Sequence, residues 1–181
     1  MRWLMSILET VLRILKKPPP PGLPSLQEVV TRPPNDPAPA LEENDRMLDK
    51  LTANFGLSEF RCRDGSGVPE ELLENVQLLA DNLQVLREHL GKPIRVISGY
   101  RSPKYNRKIG GARKSQHMLA KAADIKISGM APGEIKRVIE DLITLGKMHP
   151  GGVGLYKTFT HYDVRGRNAR WYGKGMKDDT P

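Results

Sequence analysis

Two histidines and one aspartate are the side chains of this chain best suited to chemistry. His117 and Asp124 stand seven positions apart in Ser115-Gln116-His117-Met118-Leu119-Ala120-Lys121-Ala122-Ala123-Asp124, and His161 follows in Phe159-Thr160-His161-Tyr162-Asp163. Two neutral imidazoles and one carboxylate make a three-ligand set for Zn²⁺ with a coordination position left open, the feature that separates a catalytic zinc from a structural one. The spacing alone is a weak signal, because His and Asp seven apart occur in many chains. A buried Asp124 paired with an Arg or a His accounts for the same residues without metal. Both readings stay open on spacing.

The elements that must position these groups are legible in outline. Ala122 to Ile127 reads as a strand with Asp124 inside it, and Gly152 to Tyr156 with Phe159 to Arg165 reads as a hairpin. Period-two alternation puts Phe159, His161 and Asp163 on one face of the last strand. Asp163 is then either the base that takes a proton from the attacking water or the acceptor that orients a ligand imidazole. His89 falls on the polar side of a helix, and His149 falls in a loop.

Upstream, Ser58 is a candidate cap for a short turn, and Pro69 opens a helix with Leu72, Val76, Leu79, Leu83, Leu86 and Leu90 on one stripe, ended by Gly91. Ile94 to Ile97 is a short buried strand, and Pro132 starts a second helix with Ile135, Val138, Ile139, Leu142 and Ile143 inward. The expected fold class is α+β, a small antiparallel sheet packed against helices.

The chain of 181 residues fits one domain with appendages, and its 38% hydrophobic content suffices for one core. Its net charge of +8 favours acidic partners, such as a cell-wall polymer, anionic lipid or nucleic acid. No helix combines a basic face with base-reading side chains, so specific nucleic-acid binding is not expected. The single Cys62 excludes an internal disulfide and a Cys-based zinc cluster, and reads as a small core residue.

Residues 1–17 place Leu4, Ile7, Leu8, Val11, Leu12 and Leu15 on one helical stripe. Interrupted by Glu9 and Arg13, the segment is too short and charged to span a bilayer and lacks the pattern of a clear export signal. It reads as an amphipathic helix that lies on a membrane surface or docks on a partner protein. Residues 18–50 form a Pro-rich and charged linker, 51–175 the folded domain and 176–181 a tail.

Several segments together resemble the zinc D-Ala-D-Ala carboxypeptidase and murein endopeptidase family, related in fold to the amino-terminal signalling domain of hedgehog. They are Ser98-Gly99-Tyr100-Arg101-Ser102-Pro103-x-Tyr105-Asn106, Gly110-Gly111-Ala112, Ser115-x-His117, Ala122-Ala123-Asp124 and Gly152-x-Gly154-x-Tyr156-x-x-Phe159-x-His161-x-Asp163. The resemblance runs from about Asn54 to Trp171 and implies His117, Asp124 and His161 as zinc ligands. It also implies that Arg101 binds substrate and that Tyr100 and Ser115 line the site. Two departures stand out. Ala120 replaces a common Gly, which is tolerated if its φ is negative. Thr158 occupies the position where several branches carry a catalytic acid, which leaves Asp163 as base or as orienting partner.

The implied function is zinc-dependent hydrolysis of D,D or L,D bonds in peptidoglycan stem peptides or crosslinks, in the cell envelope. Delivery by a phage-like particle would explain a wall enzyme without a clear signal peptide. The alternative is a non-catalytic wall-binding component of an envelope or phage-like assembly.

Overall fold

The longest apolar stripe in the sequence becomes the longest helix. Helix α1 (Leu73–Leu90) buries Val76, Leu79, Ala80, Leu83 and Leu86. It closes where Gly91, at φ +60°, donates its N–H to the Arg87 carbonyl. Its start differs from the sequence expectation. Pro69 has extended ψ and stands outside a 3₁₀ turn (Glu70–Leu72), and α-helical geometry begins only at Leu73. Ser58 likewise does not cap. It lies inside a 3₁₀ turn (Leu57–Phe60), and its hydroxyl and N–H both bond to the Asp49 carboxylate. The computed structural model describes residues 49–173, 175 and 176. The expectations for the amphipathic helix of 1–17 and for the linker up to residue 48 lie outside the described residues.

Strands β1 (Ile94–Ser98), β2 (Ala122–Ile127), β3 (Gly152–Leu155), β4 (Thr160–Asp163) and β5 (Ala169–Tyr172) form one sheet in the order β1-β2-β4-β3-β5. The first four pair antiparallel, as the α+β reading requires, and β5 adds to β3 in parallel. Helix α2 (Pro103–Lys108) follows β1, and α3 (Pro132–Thr144) joins β2 to β3. Pro132 sits in the first turn of α3, and the Glu134 carboxylate accepts from the Ala131 N–H to close that end.

Alternation sorts the sheet into two faces. Ala123, Ile125, Ile127, Val153 and Tyr162 join α1 and α3 in the core. Asp124, His161, Asp163, Gly152 and Gly154 fall on the opposite parity, facing away from it. The register then draws one row across all five strands: Ser98, Asp124, His161, Gly154 and Trp171 are successive partners. At the β1 end this alignment depends on a β-bulge. Val96 opposes Ile125 and Ser98 opposes Asp124, so Ile97 is the extra residue.

The row also explains a glycine. A Cβ on Gly154 would stand 2.4 Å from Trp171 Cε2, so the indole lies directly over the bare backbone of β3. Gly154→Ala must push the indole away or strain the strand, and should cost about 1–3 kcal/mol, the usual range for overpacking. Urea denaturation measures this. Unchanged stability would mean that Trp171 does not occupy that position.

Candidate functional site

The cross-strand pairing of Asp124 with His161 places their side chains side by side on the outer face of the sheet. Asp124 Oδ1 lies 2.9 Å from His161 Nδ1 and 3.3 Å from His117 Nε2, and the two imidazole nitrogens are 3.2 Å apart. His117 arrives from a separate element, the 3₁₀ turn Gln116–Leu119 that precedes β2. All three residues are buried, and one ligand atom from each lies within 4.8 Å of the others. The three residues that the sequence singled out therefore converge.

Their outer contacts fix the tautomers. His117 Nδ1 sits 2.7 Å from the Gly99 carbonyl, which can only accept. The proton is thus on Nδ1, and Nε2 turns a lone pair inward. His161 Nε2 sits 3.0 Å from Asp163 Oδ2, again an acceptor, so Nδ1 is the atom His161 offers. A carbonyl or carboxylate behind each imidazole is the arrangement that orients metal-ligating histidines. Two imidazole nitrogens and a carboxylate oxygen suit a divalent transition metal, zinc among them.

Electrostatics follow from the same contacts. Burial lowers the pKa of His117, outweighing the pull of Asp124, so it is neutral and ready to ligate. Burial alone would raise the pKa of Asp124, but the His117 and His161 bonds overcome it and hold the carboxyl well below the usual range. For His161, burial opposes the charge, yet bonds to Asp124 and Asp163 win and raise its pKa. Without a metal, His161 bridges two carboxylates, which favour its charged form.

Asp163 is fully buried behind His161 and does not border the cleft. Its oxygens accept from Arg165 Nε and Nη2, from the Gly152 N–H and from His161. Burial works against its charge, but the His161 and Arg165 bonds keep its pKa below the usual range. This is the geometry of an orienting partner. The alternative, a base facing the attacking water, does not fit a carboxylate sealed on all sides.

The cleft above His117, Asp124 and His161 measures about 500 Å³. Arg101 borders it, donating to Asp124 Oδ2 at 2.5 Å and, through Nε, to Ser98 Oγ at 3.0 Å. Arg101 is thus ion-paired to Asp124 and also stands on the wall of the cleft. Ser115 borders the cleft as expected. Tyr100 does not. It is 7% exposed within the core, because the chain turns there to pair its N–H with the Phe60 carbonyl. Thr158 is exposed in the β3–β4 turn and lies outside the cleft. Among the residues that border the cleft, Asp124 is the sole carboxylate.

The sequence reading missed an aromatic wall. Tyr156 and Phe159 stack with centroids 4.4 Å apart, Trp171 lies 5.0 Å from the His161 ring, and Trp171 Nε1 donates to Tyr156 Oη at 3.0 Å. Arg165 reaches over Trp171 at 5.4 Å from its centroid. The signal was present in Gly152-x-Gly154, two bare positions on the outer face that demand a large neighbour. Strand β5 hid that neighbour, being only four residues long. Ala120 also corrects an expectation. Its φ is +51°, not negative, because it ends the His117 turn in left-handed geometry. An L-residue there carries a cost of about 1–2 kcal/mol that Gly would avoid.

The family model described as Peptidase M15 matches residues 49–163. Peptidoglycan L,D-endopeptidase MepK from Escherichia coli strain K12 is 37% identical over 95 residues, which are 48% of this chain and 49% of that protein. The proteins of the same name from Escherichia coli O157:H7 and from Shigella flexneri match to the same extent. The chain spans about half the length of the curated relatives it matches. With the family match covering most of its length, this chain belongs to the Peptidase M15 family of hydrolases.

Proposed function

We propose that this chain is a zinc-dependent endopeptidase that cleaves an L,D peptide bond in peptidoglycan stem peptides or crosslinks, in the cell envelope. The observation that carries the reading is the convergence of His117, Asp124 and His161 at the floor of an open cleft. Membership of the family and the printed activity of the relatives supply the bond and the polymer.

His117, Asp124 and His161 would hold the zinc, which would supply Lewis-acid polarisation of the scissile carbonyl and acidification of the attacking water. The chain's own residues do the rest. Gly99 and Asp163 hold the two imidazoles in their ligating tautomers. Arg101 carries a guanidinium to the edge of the metal site, where it can bind a substrate carboxylate or the developing oxyanion. Tyr156 Oη already accepts from Trp171, so its own proton is left for a substrate acceptor. In a cleft with no free carboxylate, Tyr156 is the group we assign to proton delivery, with Asp163 as a positioning residue.

The same shortage of carboxylates favours a second reading, in which the domain binds the wall without cutting it. Defined muropeptides with mass-spectrometric product identification separate the two. Zinc-loaded protein should release products cut at an L,D bond, and Tyr156→Phe should lower turnover at least tenfold at unchanged zinc content. Full turnover in Tyr156→Phe removes the proton-delivery role. No cleavage by a zinc-replete protein that still binds sacculi would favour the binder.

Asp163→Asn should weaken zinc binding by about 10–100-fold, as loss of an orienting partner does. It should also cost about 2 kcal/mol of stability, since Arg165 and the Gly152 N–H lose a charged acceptor. Because the pKa of His161 is raised in the free protein, zinc uptake near neutral pH should displace its proton, and affinity should climb with pH through that range. Calorimetry in buffers of different ionisation enthalpy reads this release. Asp163→Asn lowers the His161 pKa and should reduce it. Equal release from both proteins would contradict the coupling.

A further inference from the structure

A second depression, of about 650 Å³, is bordered by Arg63, Lys104, Arg107 and Lys108. Helix α2 carries three of these cations at positions i, i+3 and i+4, which share one helical face. Like charges at that spacing destabilise a helix, and Lys104 in the first turn is opposed by the helix dipole as well. The dipole favours Arg107 and Lys108 in the last turn and so offsets only part of this cost. The sequence from Arg101 to Ala123 contains no Asp or Glu. Among the described residues, the side chains of Lys104, Arg107 and Lys108 make no hydrogen bond or ion pair.

The fourth cation is held in place from the other side of the depression. Arg63 donates through Nε and Nη2 to the Ile97 carbonyl, at 3.1 and 2.8 Å. Ile97 is the extra residue of the β1 bulge. The partner is a neutral carbonyl, so the guanidinium is oriented while its charge stays uncompensated. Asp64 also borders the depression, but its oxygens are taken up locally, by Ser102 Oγ at 2.5 Å and the Ser66 N–H at 2.9 Å. Helix α2 is itself anchored, with Tyr105 N–H donating to Ser102 Oγ and buried Asn106 donating to the Ala112 carbonyl. The cations therefore stand on a fixed support. The chain runs from them directly into Gly110–His117, which borders the catalytic cleft.

We propose that this depression is an anion-binding subsite that takes free carboxylates of the polymeric substrate away from the scissile bond. Four cations against the single carboxylate of Asp64 leave a net positive local potential that attracts such groups and is screened by salt. The identity of the polymer rests on the peptidoglycan reading; the charge selected does not. The subsite would hold the enzyme on the wall while the cleft samples neighbouring peptides.

The test uses the full chain and purified peptidoglycan sacculi freed of phosphate-bearing polymers. Lys104→Glu/Arg107→Glu/Lys108→Glu should weaken co-sedimentation with sacculi at least tenfold at low salt. Amidating the sacculus carboxylates should weaken wild-type binding to the same degree. Cleavage of a short soluble muropeptide should stay within twofold of wild type in the triple variant. Arg63→Gln, a milder change, should reduce sacculus binding about threefold and serves if the triple variant fails to fold. Wild-type binding by the charge-reversed protein would overturn the proposal. So would wild-type binding that is indifferent to amidation, or that appears only when phosphate polymers are left in place. Parallel loss of short-muropeptide cleavage would also count against it, because the effect would then lie in the cleft or the fold. If wild-type protein cleaves no muropeptide, the peptidase reading fails, while the sedimentation arms still decide the subsite.

Discussion

The pairing of Asp124 with His161 across β2 and β4 is the constraint on which the rest depends. Side chains alternate along a strand, so a slip of one residue in either strand would send one of these groups into the core and the other to solvent. The register is held by the opposite face, where Ala123, Ile125, Val153 and Tyr162 pack against the helices. The hydrophobic core thus sets which polar groups meet outside it. Two buried imidazoles and two buried carboxylates would be unfavourable singly. Together, with Arg101 and Arg165 outside them, they form a satisfied network that a metal can enter by displacing one proton.

The same row recruits its neighbours. Ser98 reaches the line only because the bulge at Ile97 shifts β1, and there it accepts from Arg101. Arg101 N–H bonds to the His117 carbonyl, so the guanidinium and the third residue of the cluster are tied together by one short loop contact. On the far side, Gly154 leaves room for Trp171 against His161, and Gly173 leaves room for the ring of Tyr156, to which a Cβ would come within 2.3 Å. The cleft is built by what the strands omit as much as by what they carry. The bulge has a second consequence, since the carbonyl it frees is the one that orients Arg63 beside α2.

What was legible in the sequence was the part written in local periodicity. The stripe of α1, the inward face of α3 and the strand around Asp124 are each encoded within a dozen residues, and each appears. Asp124 and His161 were legible as a candidate site because polar groups between apolar neighbours in a strand need a partner, and His117 through its residue type and spacing. Positions decided by distant contacts were not. Tyr100 is adjacent to Arg101 yet goes to the core, because the Phe60 carbonyl takes its N–H. Ala120 has a positive φ because the His117 turn must reverse into β2, which nothing in its own residue type announces. Strand β5 exists through parallel pairing with β3, a partner that local alternation cannot indicate. The choice between two roles for Asp163 required the position of Arg165, which closes its remaining side.

The most direct test of the account is metal content and peptidoglycan hydrolysis measured on the same preparation, wild type beside His117→Ala. The account predicts about one zinc per wild-type chain, with both metal and hydrolysis lost in the variant while its fold is retained. A wild-type protein that holds no zinc and gains no activity on zinc addition would contradict it. The His117, Asp124 and His161 cluster would then be a buried ion-pair network and not a metal site.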